Sequence, residues 1–349
     1  MTVVKDSPRV MRPQRQTRSV GSFKSPAAAR RYWIILLTLL AVGALLAFGL
    51  VAYGNPMEYG TRGFWLIAKR RSAALVAMIV VAVCQSTATV AFHTVTNNRI
   101  ITPSIMGFES LYVAINTSTI FFLGAAGLTA SRTVGNFLLQ MVIMVGLSLL
   151  LYSWLLTNRS NSMHAMLLVG VVIGGGLGSL STFMQRMLTP SEFDVLTARL
   201  FGSVNNAETE YYPIAIPLMV VAAVLLYANS RTLNVVALGR DAATNLGVSH
   251  KAHAIYTLVL VSVLMAVTTA LVGPMTFLGF LVATLAYQFA ETFDHRYLFP
   301  MATAIAFVVL AGAYFLMQHV FNAQGVVSII IELVGGSVFL FVILRKGRL

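Results

Sequence analysis

Residues able to do chemistry are sparse in this chain, and their spacing argues against an enzyme. Cys84 is the single cysteine and lies inside an apolar run, which rules out an internal disulfide and any cysteine-built metal site. The histidines, His93, His164, His250, His253, His295 and His319, are scattered. Only His250 and His253 stand at helical spacing, and a pair three apart in a basic loop suits a solvated face better than a metal. There is no HExxH, and no GxxxxGK[ST] loop to cradle phosphates, so the chain holds no ATP-hydrolysing site of the usual kind. Glu109 and Glu332 are the carboxylates that fall in or beside apolar runs. Each suits either a side chain hydrogen-bonded to a neighbouring helix or a polar pathway lining, and Gln85, Asn116 and Gln140 invite the same two readings. Ser86, Thr87, Thr89 and the Met-rich stretch 141–144 offer a milder lining for a bulky ligand.

The polar island of the second half runs from Ala237 to His253, ALGRDAATNLGVSHKAH. Leu238, Ala242 and Leu246 recur every four residues and predict one apolar face over about two helical turns, with Ala243 beside it. Arg240 and Asp241 open the segment, and Gly247 supplies a left-handed residue to end it. Periodicity alone leaves two readings open, an amphipathic connector between membrane helices and a docking helix.

Composition sets the elements that must position these residues. The 349 residues are 58% hydrophobic and 10% charged, far from the roughly 25% charged content of soluble domains. The expected fold class is all-α, a polytopic membrane bundle of about ten transmembrane helices. Apolar runs of spanning length occur at 33–53, 72–92, 105–123, 134–156, 163–188, 212–228, 255–272, 275–289, 298–317 and 326–344. The eighth is short and contains Gly279; the fifth carries Gly174, Gly175 and Gly176, which permit close helix approach. Residues 1–31 read as a disordered basic cytoplasmic tail near anionic headgroups, and 32–349 as the transmembrane domain. Arg30 and Arg31 do not make an export signal, because the following run is too long and many more follow it.

Both termini are expected in the cytoplasm, which leaves only Arg62, Lys69, Arg70, Arg71, Arg132, Arg186 and Arg199 outside among 24 basic residues. That distribution obeys the positive-inside rule, so the net charge of +13 needs no nucleic acid to explain it. Lys69, Arg70 and Arg71 form a basic cluster outside, and the loop 189–212 carries Glu192, Asp194, Glu208 and Glu210. The basic cluster fits either a headgroup anchor or a docking surface for an extracytoplasmic protein.

Four motifs resemble those of the iron-siderophore and vitamin B12 family of ABC-importer permeases. Thr96 to Tyr112 is similar to the NPLA-x-P-x-x-x-G region after the second span: Asn98, Pro103 and Gly107 match, while Arg99 and Ile100 replace Pro-Leu, as in a branch whose two different permeases pair. Leu238, Gly239, Ala243, Leu246 and Gly247 resemble the LG-x-x-x-A-x-x-LG coupling loop, with Arg240 and Asp241 inside it. Gly273, Pro274 and Gly279 bracket a likeness to GPIGFIG, although the Pro-His usually following is absent. Asp294, His295 and Arg296, then Pro300, match DHR-x-x-x-P.

The resemblance implies an importer subunit without its own cofactor, in which ATP is hydrolysed by separate ABC ATPase subunits pressed against 238–247. It also implies a second permease subunit, an extracytoplasmic substrate-binding protein docked on Lys69, Arg70 and Arg71, and a ferric siderophore as cargo in the bacterial cell membrane. The rival reading is an ion-coupled secondary transporter, for which Glu109, Glu332 and the short eighth run are the only hints.

Overall fold

The computed structural model describes residues 21–130, 133–157, 163–321 and 327–346, and its regular elements are helices. In chain order they are α1 (Pro26–Ala52), α2 (Arg62–Thr96), α3 (Phe108–Ala130), α4 (Val134–Thr157), α5 (Met163–Gln185), α6 (Pro190–Leu200) and α7 (Tyr212–Ala228). There follow α8 (Ser230–Val236), α9 (Arg240–Asn245), α10 (His250–Val272), α11 (Leu278–Ala290), α12 (His295–His319) and α13 (Val327–Lys346). Residues 1–20 of the expected tail, with Arg132, Arg159 and Arg348, lie outside the described residues. Of the tail's remainder, Ser25 caps α1 by accepting from the Ala28 amide, and Pro26 occupies the first turn.

The all-α class holds, but the expectation of about ten spanning helices is corrected. Among the described residues six helices are long and apolar enough to cross a membrane: Pro26–Ala52, Arg62–Thr96, Leu167–Gln185, Thr209–Ala228, His250–Val272 and His295–His319. Val134–Leu150, Leu278–Ala290 and Val327–Phe341 are apolar but shorter. The physical reason is that several apolar runs are not continuous rods. α11 has 13 residues, which at 1.5 Å each spans about 20 Å against a hydrocarbon core of about 30 Å. The run from 105 begins with a 3-10 turn at Ser104–Met106, and α3 is interrupted at Gly124, whose φ of 70° and ψ of 179° are not helical.

α2 and α10 form the centre of the bundle. From Ala77 to Thr96 nearly every α2 side chain is buried, including Gln85, Ser86, Thr87, Thr89 and His93. α1 is apolar on all sides yet buries few residues, and its exposed Leu37, Leu40, Leu45 and Phe48 suit contact with lipid. Polar side chains gather at two ends of the bundle. One gathers the end of α2, α8, α9 and the start of α12; the other gathers the end of α1, the start of α2 and the end of α12.

Candidate functional site

α9 is a single short helix whose end is fixed by backbone chemistry. The Val248 amide donates to the Ala243 carbonyl (2.9 Å) and the Gly247 amide to the Thr244 carbonyl (3.0 Å), the paired bonds of a Schellman motif. That motif needs a left-handed residue, which Gly247 provides at φ 78° without a Cβ penalty. Gly239 (φ 92°) precedes the helix and Asp241 lies in its first turn, which suits the positive end of the dipole. Leu238 sits before the helix rather than on it, so the expected two-turn face is reduced to six helical residues. Ala243 is fully buried against the bundle, whereas Leu238 and Leu246 are 62% and 61% exposed. The segment is thus pinned by a small residue and offers two leucines outward.

Directly upstream, α8 ties this segment to two other helices. Asn234 Oδ1 accepts from the His295 backbone N–H (3.0 Å) and contacts its Nδ1 (2.5 Å), while Asn234 Nδ2 donates to Asp294 Oδ1 (3.1 Å). The amide orientation follows from its neighbours: an N–H needs the oxygen and a carboxylate needs the NH2. His295 Nδ1 must then carry the proton, and Nε2 faces the Thr94 hydroxyl of α2 at 2.6 Å. Asp294 caps α12 by accepting from the Arg296 backbone N–H (3.1 Å), and the Arg296 Nη2 donates to it at 2.6 Å. Ser22 donates to the same carboxylate (2.7 Å). Burial pushes the Asp294 carboxyl up, but donors from Arg296, Asn234 and Ser22 outweigh it and hold the group well below the usual carboxylate range.

The N-terminal segment completes this end. Thr292 donates to the Ser22 carbonyl, the Arg31 guanidinium pairs with Glu291 (2.8 Å), and the Phe23 ring packs between Tyr32 and Tyr297. Asn98 accepts from the amides of Ile100 (2.8 Å) and Ile101 (3.3 Å), which turns the chain after α2. Arg99 lies 4.5 Å over the Tyr287 ring. Three of the sequence motifs, those around Asn98, Leu238 and Asp294, therefore converge at one end, where a cavity of about 540 Å³ is lined by Asn98, Arg99, Ala237, Tyr287 and His295 among others.

The fourth motif lies elsewhere. Gly273 ends α10 and Pro274 follows; the Met275 amide (3.1 Å) and Thr276 hydroxyl (2.5 Å) then donate to the buried Glu109 at the start of α3. Glu109 therefore braces the break between α10 and α11, which supports the hydrogen-bonded reading over an open lining. Gly279 lies against α2, and a Cβ there would collide with Thr89 Oγ1. Pro103 leads into the 3-10 turn that ends at Gly107, which packs on Gly174 of α5. Among the described residues no group of three or more His, Cys, Asp or Glu could hold a metal ion.

At the opposite end the basic triplet divides its work. Arg71 donates to the carbonyls of Tyr53 (2.8 Å) and Gly54 (3.1 Å), more distantly to those of Leu50 and Val51, and so caps the end of α1. Lys69 and Arg70 are exposed, and neither makes an ion pair among the described residues. Successive helical side chains diverge by about 100°, so Arg71 can turn back onto α1 while its two neighbours stay exposed. Glu192 in the acidic loop is engaged in a capping box with Thr189, whose amide and hydroxyl hold its carboxyl below the ordinary range. Asp194 and Glu210 are exposed.

Sequence reasoning missed Asn234, Ser22 and Thr292. The available signal for Asn234 was an amide between Leu233 and Val235 in an otherwise apolar turn just ahead of residues 238–247.

The comparisons with known proteins fit this architecture. The profile described as the FecCD transport family matches residues 34–345. The petrobactin import system permease protein FatC of Bacillus anthracis is 57% identical over 334 residues, covering 96% of this chain and 94% of that protein. The petrobactin import system permease protein YclO of Bacillus subtilis is 33% identical over 309 residues, 88% of this chain and 98% of that one. A solved metal-chelate type ABC transporter in an inward-facing conformation shares the fold at a TM-score of 0.71 and 19% identity, covering 90% of this chain and 99% of that one. From the first membrane helix to the last, the chain belongs to the FecCD transport family.

Proposed function

We propose that this chain is one of two different permease halves through which an ABC importer moves an iron-loaded siderophore of the petrobactin kind. The observation that carries the substrate class is the 57% identity to a petrobactin import permease over 96% of the chain. Membership of the family makes the chain a membrane permease subunit of an iron-siderophore type importer that works with a separate ATPase, and a transport subunit rather than an enzyme. Beyond that, residues Leu238, Gly239, Arg240, Asp241, Ala243, Leu246 and Gly247 are proposed as the ATPase contact. Support comes from the exposure of the two leucines and the burial of Ala243, a pattern suited to a segment held from behind and pressed from in front. Lys69 and Arg70 are proposed to steer an acidic extracytoplasmic binding protein, with Arg71 fixing the helix end from which they project. On this reading both termini are cytoplasmic, and nucleotide-driven movement of the ATPases rocks the helices without covalent chemistry on the cargo.

The test is uptake of 55Fe-loaded petrobactin into proteoliposomes containing this chain with its partner permease, ATPase and binding protein. Uptake is expected to require ATP, and Leu246→Asp, which puts an unpaired charge into a packed contact, should lower it about 100-fold and release the ATPase on purification. Uptake without the ATPase, driven by an ion gradient, would sink the proposal in favour of a secondary transporter.

A further inference from the structure

We infer that Asn234 is the positioning residue that passes movement of the coupling segment into α12 and α2. The inference rests on the assignment of Leu238–Gly247 to the ATPase contact. Between α8 and α9 the chain has little slack: the Leu238 amide donates to the Val235 carbonyl and the Gly239 amide to that of Val236. A push on Leu238 is therefore delivered to α8. On α8, Leu233 and Val236 are buried apolar side chains, and contacts of that kind are non-directional and allow sliding. Asn234 differs in chemistry. Its amide holds the Asp294 carboxylate with one end and the His295 backbone and ring with the other, so the start of α12 cannot shift relative to α8 without breaking directional bonds.

The path continues through one more side chain. His295 Nε2 meets the Thr94 hydroxyl, two residues before the end of α2. Asn234 is suited to this position by having both a donor and an acceptor on a short stem. Aspartate would set a second carboxylate against Asp294, and leucine would leave the His295 N–H and the Asp294 carboxylate each short of a partner. One residue thus joins the ATPase-facing segment to two helices of the bundle, α12 directly and α2 through His295.

The experiment measures 55Fe-petrobactin uptake and phosphate release in the same proteoliposomes, with the complete complex. Asn234→Ala is expected to keep assembly and ATP hydrolysis within about twofold while uptake per ATP falls about tenfold, a typical coupling energy lost. Thr94→Val, which removes the hydroxyl at the far end of the path, should lower the same ratio about threefold. Asn234→Gln retains the amide and should recover part of the ratio. An unchanged ratio in Thr94→Val and Asn234→Ala overturns the inference, and if Asn234→Ala does not assemble, an unchanged Thr94→Val alone does so. Retention of the ATPase by Leu246→Asp would instead remove the underlying coupling assignment, whatever Asn234 does.

Discussion

The two ends of the bundle handle charge in opposite ways. At the α8–α12 end, Asp294 is buried and receives donors from Arg296, Asn234 and Ser22, so its charge is consumed in holding helices together. At the other end Arg71 is the member of the basic triplet used in this manner, and Lys69 and Arg70 are exposed. A buried, saturated carboxylate resists displacement and transmits it, because any shift leaves an unpaired charge in a low-dielectric site. Exposed cations on a helix cost nothing to leave unpaired and act at a distance through their field. One end is therefore suited to transmitting force and the other to capturing a partner.

The largest effect that would break this contrast is expected at Asp294. Asp294→Ala removes the α12 cap and strands the Asn234 amide, while water can replace the partner of the exposed Arg296 guanidinium, so the cost is about 2 kcal/mol from a lost cap and a lost buried partner. Thermal unfolding in nanodiscs should show the drop, while Lys69→Glu with Arg70→Glu should unfold like the parent within about 0.5 kcal/mol. Equal losses in both variants would mean that the two ends do not differ. The sign of the pH response follows from the same donors. Because the folded carboxyl titrates below its ordinary value of about 3.9, its contribution is fully present above that pH and is lost as the medium is acidified below it. Stability from this group should thus be flat from pH 5 to 8.

Next in size is the effect at Lys69 and Arg70, proposed as a capture surface. Reversing both Lys69 and Arg70 should weaken binding-protein affinity about tenfold at low ionic strength, acting chiefly on the association rate, and the deficit should shrink as salt is raised through 0.15 M. Surface plasmon resonance across a salt series reads both quantities. An affinity unchanged at low salt would remove the docking role and leave the cluster as a helix-end anchor.

Several of these features were legible in the sequence for a physical reason. The turn that ends α9 needs a left-handed residue at Gly247, and the contact behind it needs a small side chain at Ala243, and those demands appear as letters. The family resemblance read from four motifs agrees with the profile match over residues 34–345. The number of spanning helices was not legible, because apolar composition does not reveal where a run leaves helical geometry, as at Gly124 and in the stretch after Gly273. Asn234 was hidden for a different reason. Its partners lie about 60 residues away, and a lone amide carries no periodic signal until α8 and α12 are brought together.

The smallest effect sharpens the division inside the basic triplet. Arg71 is the one of the three whose guanidinium closes off the carbonyls at the end of α1, so Arg71→Ala should cost about 1 kcal/mol, the usual worth of a helix-end cation with its bonds. Arg71→Lys keeps the charge but not the forked donors, and should recover only part of that loss. Neither change removes the exposed charges at Lys69 and Arg70, so association with the binding protein should fall by less than about twofold, far below the double reversal. The measurements are unfolding midpoints and association rates on the same preparations. A midpoint unchanged in Arg71→Ala together with a strongly slowed association would transfer Arg71 from the structural role to the capture surface and make the triplet act as one patch.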